Sequence, residues 1–155
     1  EGRRGMAGMS RASKFGTTPQ YLTTANAQMT VILQLETTEA IAQLEAIAAV
    51  PGVDALFIGP GDLSATMGHV GQLTHPEVLA VTADAVARAQ ALGMPIGTVG
   101  GTTEVVAQYR AIGFDFIAIA SDLGLLMRSA QAALASVRNT GAAPTTQPTP
   151  TNGGY

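Results

Sequence analysis

The 155-residue chain contains no cysteine, which excludes disulfides, thiolate nucleophiles and cysteine-based zinc sites. Charge is scarce as well: 12 % of residues are Asp, Glu, Lys or Arg, about half the usual quarter. A chain with so few charges is expected to bury much of itself, in a core or against partner subunits. Its eight Lys plus Arg form no basic cluster beyond Arg3-Arg4, and the net charge is −3, so nucleic-acid binding has no support. No apolar run approaches the roughly 18 residues that span a bilayer, and "EGRRGMAGMSRAS" at the start has no signal-peptide core. The expectation is a soluble, cytoplasmic protein without a membrane partner. Because the first residue is Glu rather than Met, the chain is expected to be a piece of something longer.

The apolar residues that are present, 46 % of the chain, fall into four β-like runs, each followed by a helical pattern. The first strand is read over Met29–Glu36, followed by "TTEAIAQLEAIAAV" with Ile41, Leu44, Ile47 and Ala48 on one face. Pro51-Gly52 stops that helix. A second strand, Val53–Gly59, ends in a Gly-Pro-Gly turn and a loop running to Thr74. Pro76 opens a helix that continues through Leu92 to a Gly93 cap. The third strand is Pro95–Val99. The helix after it carries Val105, Val106, Tyr109 and Ile112 and stops at Gly113. "FDFIAIA", residues 114–120, is the fourth strand, and Ser121 or Asp122 caps a last helix. That helix has Leu125, Leu126 and Met127 together, a wide apolar face that ordinarily packs into a core. Residues 1–138 are thus expected to form one partial barrel domain. Residues 139–155, rich in Pro, Thr and Gly and without periodicity, are expected to form a disordered tail.

Four strand–helix units imply an α/β chain with a parallel sheet. Continuous apolar strands such as "LFIG" and "FIAIA" agree, because parallel strands are covered on both faces. An open doubly wound sheet and half of a (βα)8 barrel both remain, and the four units with no start of their own favour the half barrel.

Two strands stop at an acid: Glu36 in "VILQLETTEA" and Asp62 in "LFIGPGDLSATMG". Ligands of parallel α/β folds bind at the carboxyl ends of strands, and adjacent strands lie about 4.8 Å apart, close enough for two acids to share one cation. Gln34 points to the same side as Glu36. Two carboxylates without cysteine or histidine beside them suit a hard divalent ion, Mg2+ or Mn2+, with Co2+ a third option. A 2-oxo acid would chelate such an ion, and the amides of Gly61 and Asp62 would receive its carboxylate. The plainer reading, in which each acid is only a helix N-cap, stays open from the residues alone. Other chemistry is thin. The single lysine, Lys14, reads as a solvated loop charge rather than a Schiff-base amine. "GTVGGTT" at 97–103 lacks the lysine and the spacing of a phosphate loop.

Five stretches in order, "RASKFG", "LQLETTEA", "GVDALFIGPGDLSATMGHVG", "HPEV" and "SDLGLLMRSA", resemble the HpcH/HpaI aldolase family over about residues 5–137. The resemblance implies a TIM (βα)8 barrel of which this chain is the C-terminal half, strands five to eight. It implies a metal-dependent class II aldolase that cleaves 4-hydroxy-2-oxo acids, such as 4-hydroxy-2-oxoheptanedioate or 2-dehydro-3-deoxy sugar acids, to pyruvate and an aldehyde. Glu36 and Asp62 correspond to the metal ligands, Gln34 lies by the pyruvyl moiety, and Gly61 contributes its amide. The family's proton-transferring His belongs to the other half, and neither His69 nor His75 replaces it. His75, before Pro76, reads as the residue that starts a helix. No catalytic residue is therefore expected here, and the chain alone is expected to be inactive. The resemblance also implies a homo-oligomer that exchanges its last helix between subunits. Competing readings are a citrate-lyase-β-like lyase and a non-catalytic α/β assembly module.

Overall fold

A computed structural model describes residues 5–139. Of the expected tail, residues 140–155 lie outside the described residues, and Asn139 ends the last helix. Strands β1 (Ile32–Leu35), β2 (Ala55–Ile58), β3 (Ile96–Val99) and β4 (Phe116–Ala118) form one sheet. Their order is β1-β2-β3-β4 and every pair is parallel. This order decides between the two candidate architectures. Right-handed crossovers that always advance to the next strand keep all the helices on one face, whereas a doubly wound sheet must reverse its order to cover both. The sheet is half of a (βα) barrel.

Before β1 the chain makes the short helix α1 (Tyr21–Thr24), flanked by 3-10 turns at Arg11–Ser13 and Ala25–Gln28. Lys14, at the end of the first turn, is exposed and left-handed (φ 49°). The helix expected after β1 is divided: α2 (Thr38–Ala42) and α3 (Leu44–Ala48) are separated where Gln43 leaves helical dihedrals (φ −100°, ψ 14°). The segment read as a turn and loop after β2 is instead a helix, α4 (Pro60–Thr66). Proline at its first position has no N–H to lose there and a φ already set for the helix, while Leu63 and Ser64 are fully buried beneath it. Helices α5 (Pro76–Ala91) and α6 (Thr103–Ile112) lie close to the expected positions. Thr102 caps α6 by accepting the Val105 N–H (3.3 Å), and Gly113 ends it with a φ of 105°.

Alternation along the strands sorts side chains into two layers. Facing the helices, Leu35, Leu56, Ile58 and Ile96 meet Leu44 of α3 and Val86 of α5 in one core. On the other face the register aligns Gln34, Phe57, Gly97 and Phe116 in a row across all four strands. Here Gly97 is a steric requirement: a Cβ on it would come within 2.2 Å of the Phe116 ring, which leans across β3 toward Phe57 (centroids 6.1 Å apart). This second face is not covered, and Ile32 remains 48 % and Val99 37 % exposed. The last helix, α7 (Asp122–Asn139), starts at the expected cap, with Ser121 Oγ accepting the Gly124 N–H at 3.0 Å. Its apolar face does not pack into a core. Leu125, Leu126, Met127, Leu134 and Val137 are all at least half exposed, because α7 finds no surface of the half barrel to cover. No helix among the described residues is long and apolar enough to cross a membrane.

At the amino ends of the strands, two acids hold the sheet together. Asp54 Oδ2 accepts the Val31 N–H (2.7 Å) and Asp115 Oδ2 accepts the Ile96 N–H (2.8 Å), so each residue opening a strand satisfies the backbone of its neighbour. Between helices, Arg88 of α5 makes a forked pair with Glu45 of α3 (both contacts 2.6 Å), bonds Asp84 (3.2 Å) and donates to the Ile41 carbonyl. The guanidinium lowers the Glu45 carboxyl from 4.5 to about 2.

Two predictions follow from this packing. Gly97→Ala should lower the unfolding free energy by about 1–3 kcal/mol in urea titration, because the Phe116 ring must leave its site. Glu45 has a depressed folded pKa, so its pair with Arg88 stabilises the chain above 4.5 and loses that contribution as pH falls from 4.5 toward about 2. Glu45→Gln should therefore lower the urea midpoint near pH 6 and flatten its decline toward about pH 3.

Candidate metal centre

Beyond Leu35 the backbone carries β1 one residue further, placing Glu36 level with Gly59 on the uncovered face. That placement extends the Leu35–Ile58 register and is confirmed by contact. A Cβ built on Gly59 would lie 2.9 Å from Glu36 Cβ, 3.0 Å from Glu36 Oε2 and 2.7 Å from Gln34 Nε2. Glu36 and Gln34 thus lie over a bare glycine backbone. Gln34 Nε2 donates to Glu36 Oε2 at 2.5 Å, which orients the carboxylate and leaves Oε1 available to another partner. Asp62 stands three residues past Gly59, in the first turn of α4, and is exposed. The two acids therefore occupy the same rim, at the carboxyl ends of consecutive strands.

Their surroundings differ from those of Asp54 and Asp115 at the opposite rim. Those two are spent on backbone N–H groups. Among the described residues, the ion pairs join Glu77, Glu45 and Asp84 to His69 or Arg88, and neither Glu36 nor Asp62 takes part. Two rim carboxylates without a cationic side chain, one already aimed by an amide, form a donor set suited to a hard, oxygen-preferring cation. Neither acid is the N-cap that the plainer sequence reading allowed. Thr37 caps α2 by accepting the Ala40 N–H (3.0 Å), and Asp62 lies inside α4.

Gly61 has open space where a Cβ would stand, so the chain itself does not require glycine there. The glycine the site does require is Gly59, which the sequence reading passed over. "GPG" offers two candidates, and only the strand register shows which of them lies under Glu36. Ser64, buried behind the turn, donates its Oγ proton to the Gly61 carbonyl (2.7 Å).

His75 does begin a helix. It is the N-cap of α5, its Nδ1 accepting the Glu77 N–H at 3.3 Å. His69 is not a free loop residue, because its Nε2 lies 3.0 Å from Glu77 Oε2 and its ring stacks on that of His75, centroids 3.6 Å apart. Donor atoms of His69, His75 and Glu77 all lie within 4.8 Å of one another. The stacked rings are 16° from parallel, so their in-plane lone pairs run side by side, and His75 Nδ1 is already engaged in the cap. These contacts form a clasp between the loop and α5. The sequence showed both histidines but not their contact, which depends on the path of the loop between them.

A parallel half barrel with paired acids at its carboxyl rim is the frame of a barrel enzyme that works at its strand ends. The chain belongs to the HpcH/HpaI aldolase/citrate lyase family, whose sequence model matches residues 2–129. It is 50 % identical over 137 residues to a 2-dehydro-3,6-dideoxy-6-sulfogluconate aldolase of Pseudomonas putida, a match covering 88 % of this chain and 54 % of that protein. To a pyruvate aldolase of Rhizobium etli it is 44 % identical, covering 84 % of this chain and 52 % of the relative. A solved structure of an HpcH/HpaI aldolase/citrate lyase family protein from Burkholderia cenocepacia superposes with a TM-score of 0.74 at 44 % identity. That match covers 87 % of this chain and 52 % of the other. The chain spans about half the length of the curated relatives it matches.

The clearance at Gly59 is testable. Gly59→Ala should break the Gln34–Glu36 hydrogen bond, seen by NMR as an upfield move of the Gln34 side-chain amide, and cost about 1–3 kcal/mol of stability.

Proposed function

We propose that this chain is the metal-holding half of a carbon–carbon lyase that cleaves 4-hydroxy-2-oxo acids to pyruvate and an aldehyde. The observation that carries the reading is the pair of rim acids, Glu36 over bare Gly59 and Asp62 in the adjoining turn, in a chain of this family. Glu36 and Asp62 would hold Mg2+ or Mn2+, which supplies Lewis-acid polarisation of the substrate's keto oxygen. Gln34 keeps Glu36 turned toward the rim. The amides of Gly61 and Asp62, in the first turn of α4 where no intrahelical acceptor exists, receive the substrate carboxylate. The open space above Gly61 leaves room for that approach.

The proton transfers are assigned to residues outside this chain. His69 and His75 are committed to Glu77 and to each other, and Lys14 is exposed far along the sequence from the rim acids. The relatives named as aldolases act on a sulfo-sugar acid or on pyruvate, and a 2-oxo acid is the chemistry those names share. In the whole protein, acting in the cytoplasm, the uncovered sheet face is closed by the other half of the barrel and the exposed face of α7 by a second subunit of a homo-oligomer. Residues 1–138 would then be one partial barrel domain.

Calorimetric titration of Mn2+, with oxalate as a mimic of the pyruvate enolate, tests the reading. Binding should be seen in the wild type, tighten with oxalate, and fall at least tenfold in Asp62→Ala and in Glu36→Gln. Unchanged affinity in both variants would remove the two acids from the ligand set.

A further inference from the structure

Asp62 stands on a helix of seven residues, too short to hold its own position. Leu63, fully buried next to it, packs the turn into the core, and a second tether can be traced outward from the turn. The Gly61 carbonyl accepts the Ser64 Oγ proton at 2.7 Å, and Ser64 is fully buried. The Ser64 carbonyl in turn accepts the His69 N–H, also at 2.7 Å, which closes the carboxyl end of α4. His69 then leaves α4 altogether. Its imidazole is bonded to Glu77 Oε2 on the first turn of α5 and stacked on His75, the residue that caps α5. Glu77 is held below its ordinary pKa, chiefly by its hydrogen bond to His69, so it is an anion in this contact at neutral pH.

The intervening loop makes two backbone bonds of its own, Gln72 N–H to the His69 carbonyl and His75 N–H to the Gln72 carbonyl, and beyond these it is tied by the clasp. Gly68 and Gly71 on either side of His69 have φ of 83° and 74°, and a loop with two left-handed glycines has little stiffness of its own. Val70, between them, is 76 % exposed and anchors nothing. His69, by contrast, keeps only 20 % of its side chain exposed. Along this loop the side-chain attachment to the next helix is therefore the imidazole.

We propose that His69 is a positioning residue. Clasped by Glu77 and His75, it sets the place of the Gly61–Asp62 turn through Ser64, so that α5, one of the largest helices of the core, acts as the support for a metal ligand on a very short one. This inference rests on the reading of Asp62 as a ligand, and its test is arranged to separate the two.

The test uses the 155-residue chain and two readouts. One is the amide resonances of Gly61 and Asp62 without metal, and the other is Mn2+ affinity. His69→Ala and Glu77→Gln should each move both resonances and weaken Mn2+ on the order of tenfold. His69→Gln, which keeps a donor able to reach Glu77, should restore most of the affinity. That rescue separates positioning from a general loss of stability. Glu77→Gln keeps the test decisive should His69→Ala fail to fold, since it leaves His69 and its backbone bond in place. Resonances of Gly61 and Asp62 that stay put in both variants overturn the clasp. So does Mn2+ binding that is lost in Asp62→Asn yet unmoved in Glu77→Gln. Mn2+ binding that survives Asp62→Asn instead defeats the reading of the site, and with it the purpose assigned to the clasp.

Discussion

The constraint on which the molecule depends is topological. Each crossover carries the chain to the next parallel strand, so the helices gather on one side of the sheet and the other side is left bare. Everything distinctive about the chain follows from that asymmetry. The helix-facing layer is dry and densely apolar, with Leu44, Leu56, Ile58 and Ile96 showing no exposed surface. The bare layer carries an amide, two phenylalanines and a glycine in one register row, and the acids sit just beyond it. Strand polarity then separates the acids by role. At the amino ends, Asp54 and Asp115 satisfy backbone donors. At the carboxyl ends, Glu36 and Asp62 take no part in the ion pairs found among the described residues.

Much of this frame was legible in the residues. The alternation of apolar runs with helical periodicity located all four strands and the helices α5 and α6, since each has a buried stripe and a stop: Gly93 after α5, Gly113 after α6. Legibility failed where tertiary contact overrides local signals. The Gly-Pro-Gly sequence is a strong turn signal, yet Pro60 starts a helix because Leu63 and Ser64 are pulled into the core beneath it. The last helix has the composition of a packed element, yet its apolar side chains remain exposed, which nothing in its own sequence signals. Conversely, the strands are shorter than read, because pairing is limited by the neighbour's length and not by the run of apolar side chains.

The candidate site shows the same division. Its acids were visible, since a carboxylate at the end of a buried strand is conspicuous in a chain with so little charge. What holds them was not. The need for Gly59 exists only once β1 and β2 are in register, and the imidazole stack exists only once the loop has turned through Gly68 and Gly71. Residues that bear chemistry are recognised by type, whereas residues that aim them are recognised by neighbours.

The lean of Phe116 over Gly97 has a consequence for where a ligand sits. The two rings on β2 and β4 occupy the middle of the bare face, roofing the glycine between them. They form a greasy floor one layer below Glu36, so a small polar molecule has no depth into which to sink. On the reading of the two acids as a metal site, such a molecule would be held at the lip of the barrel, with its far end toward whatever surrounds the mouth. Under the proposed aldolase reading, the floor and the acids would stay constant while the choice of aldehyde would fall to the walls above them.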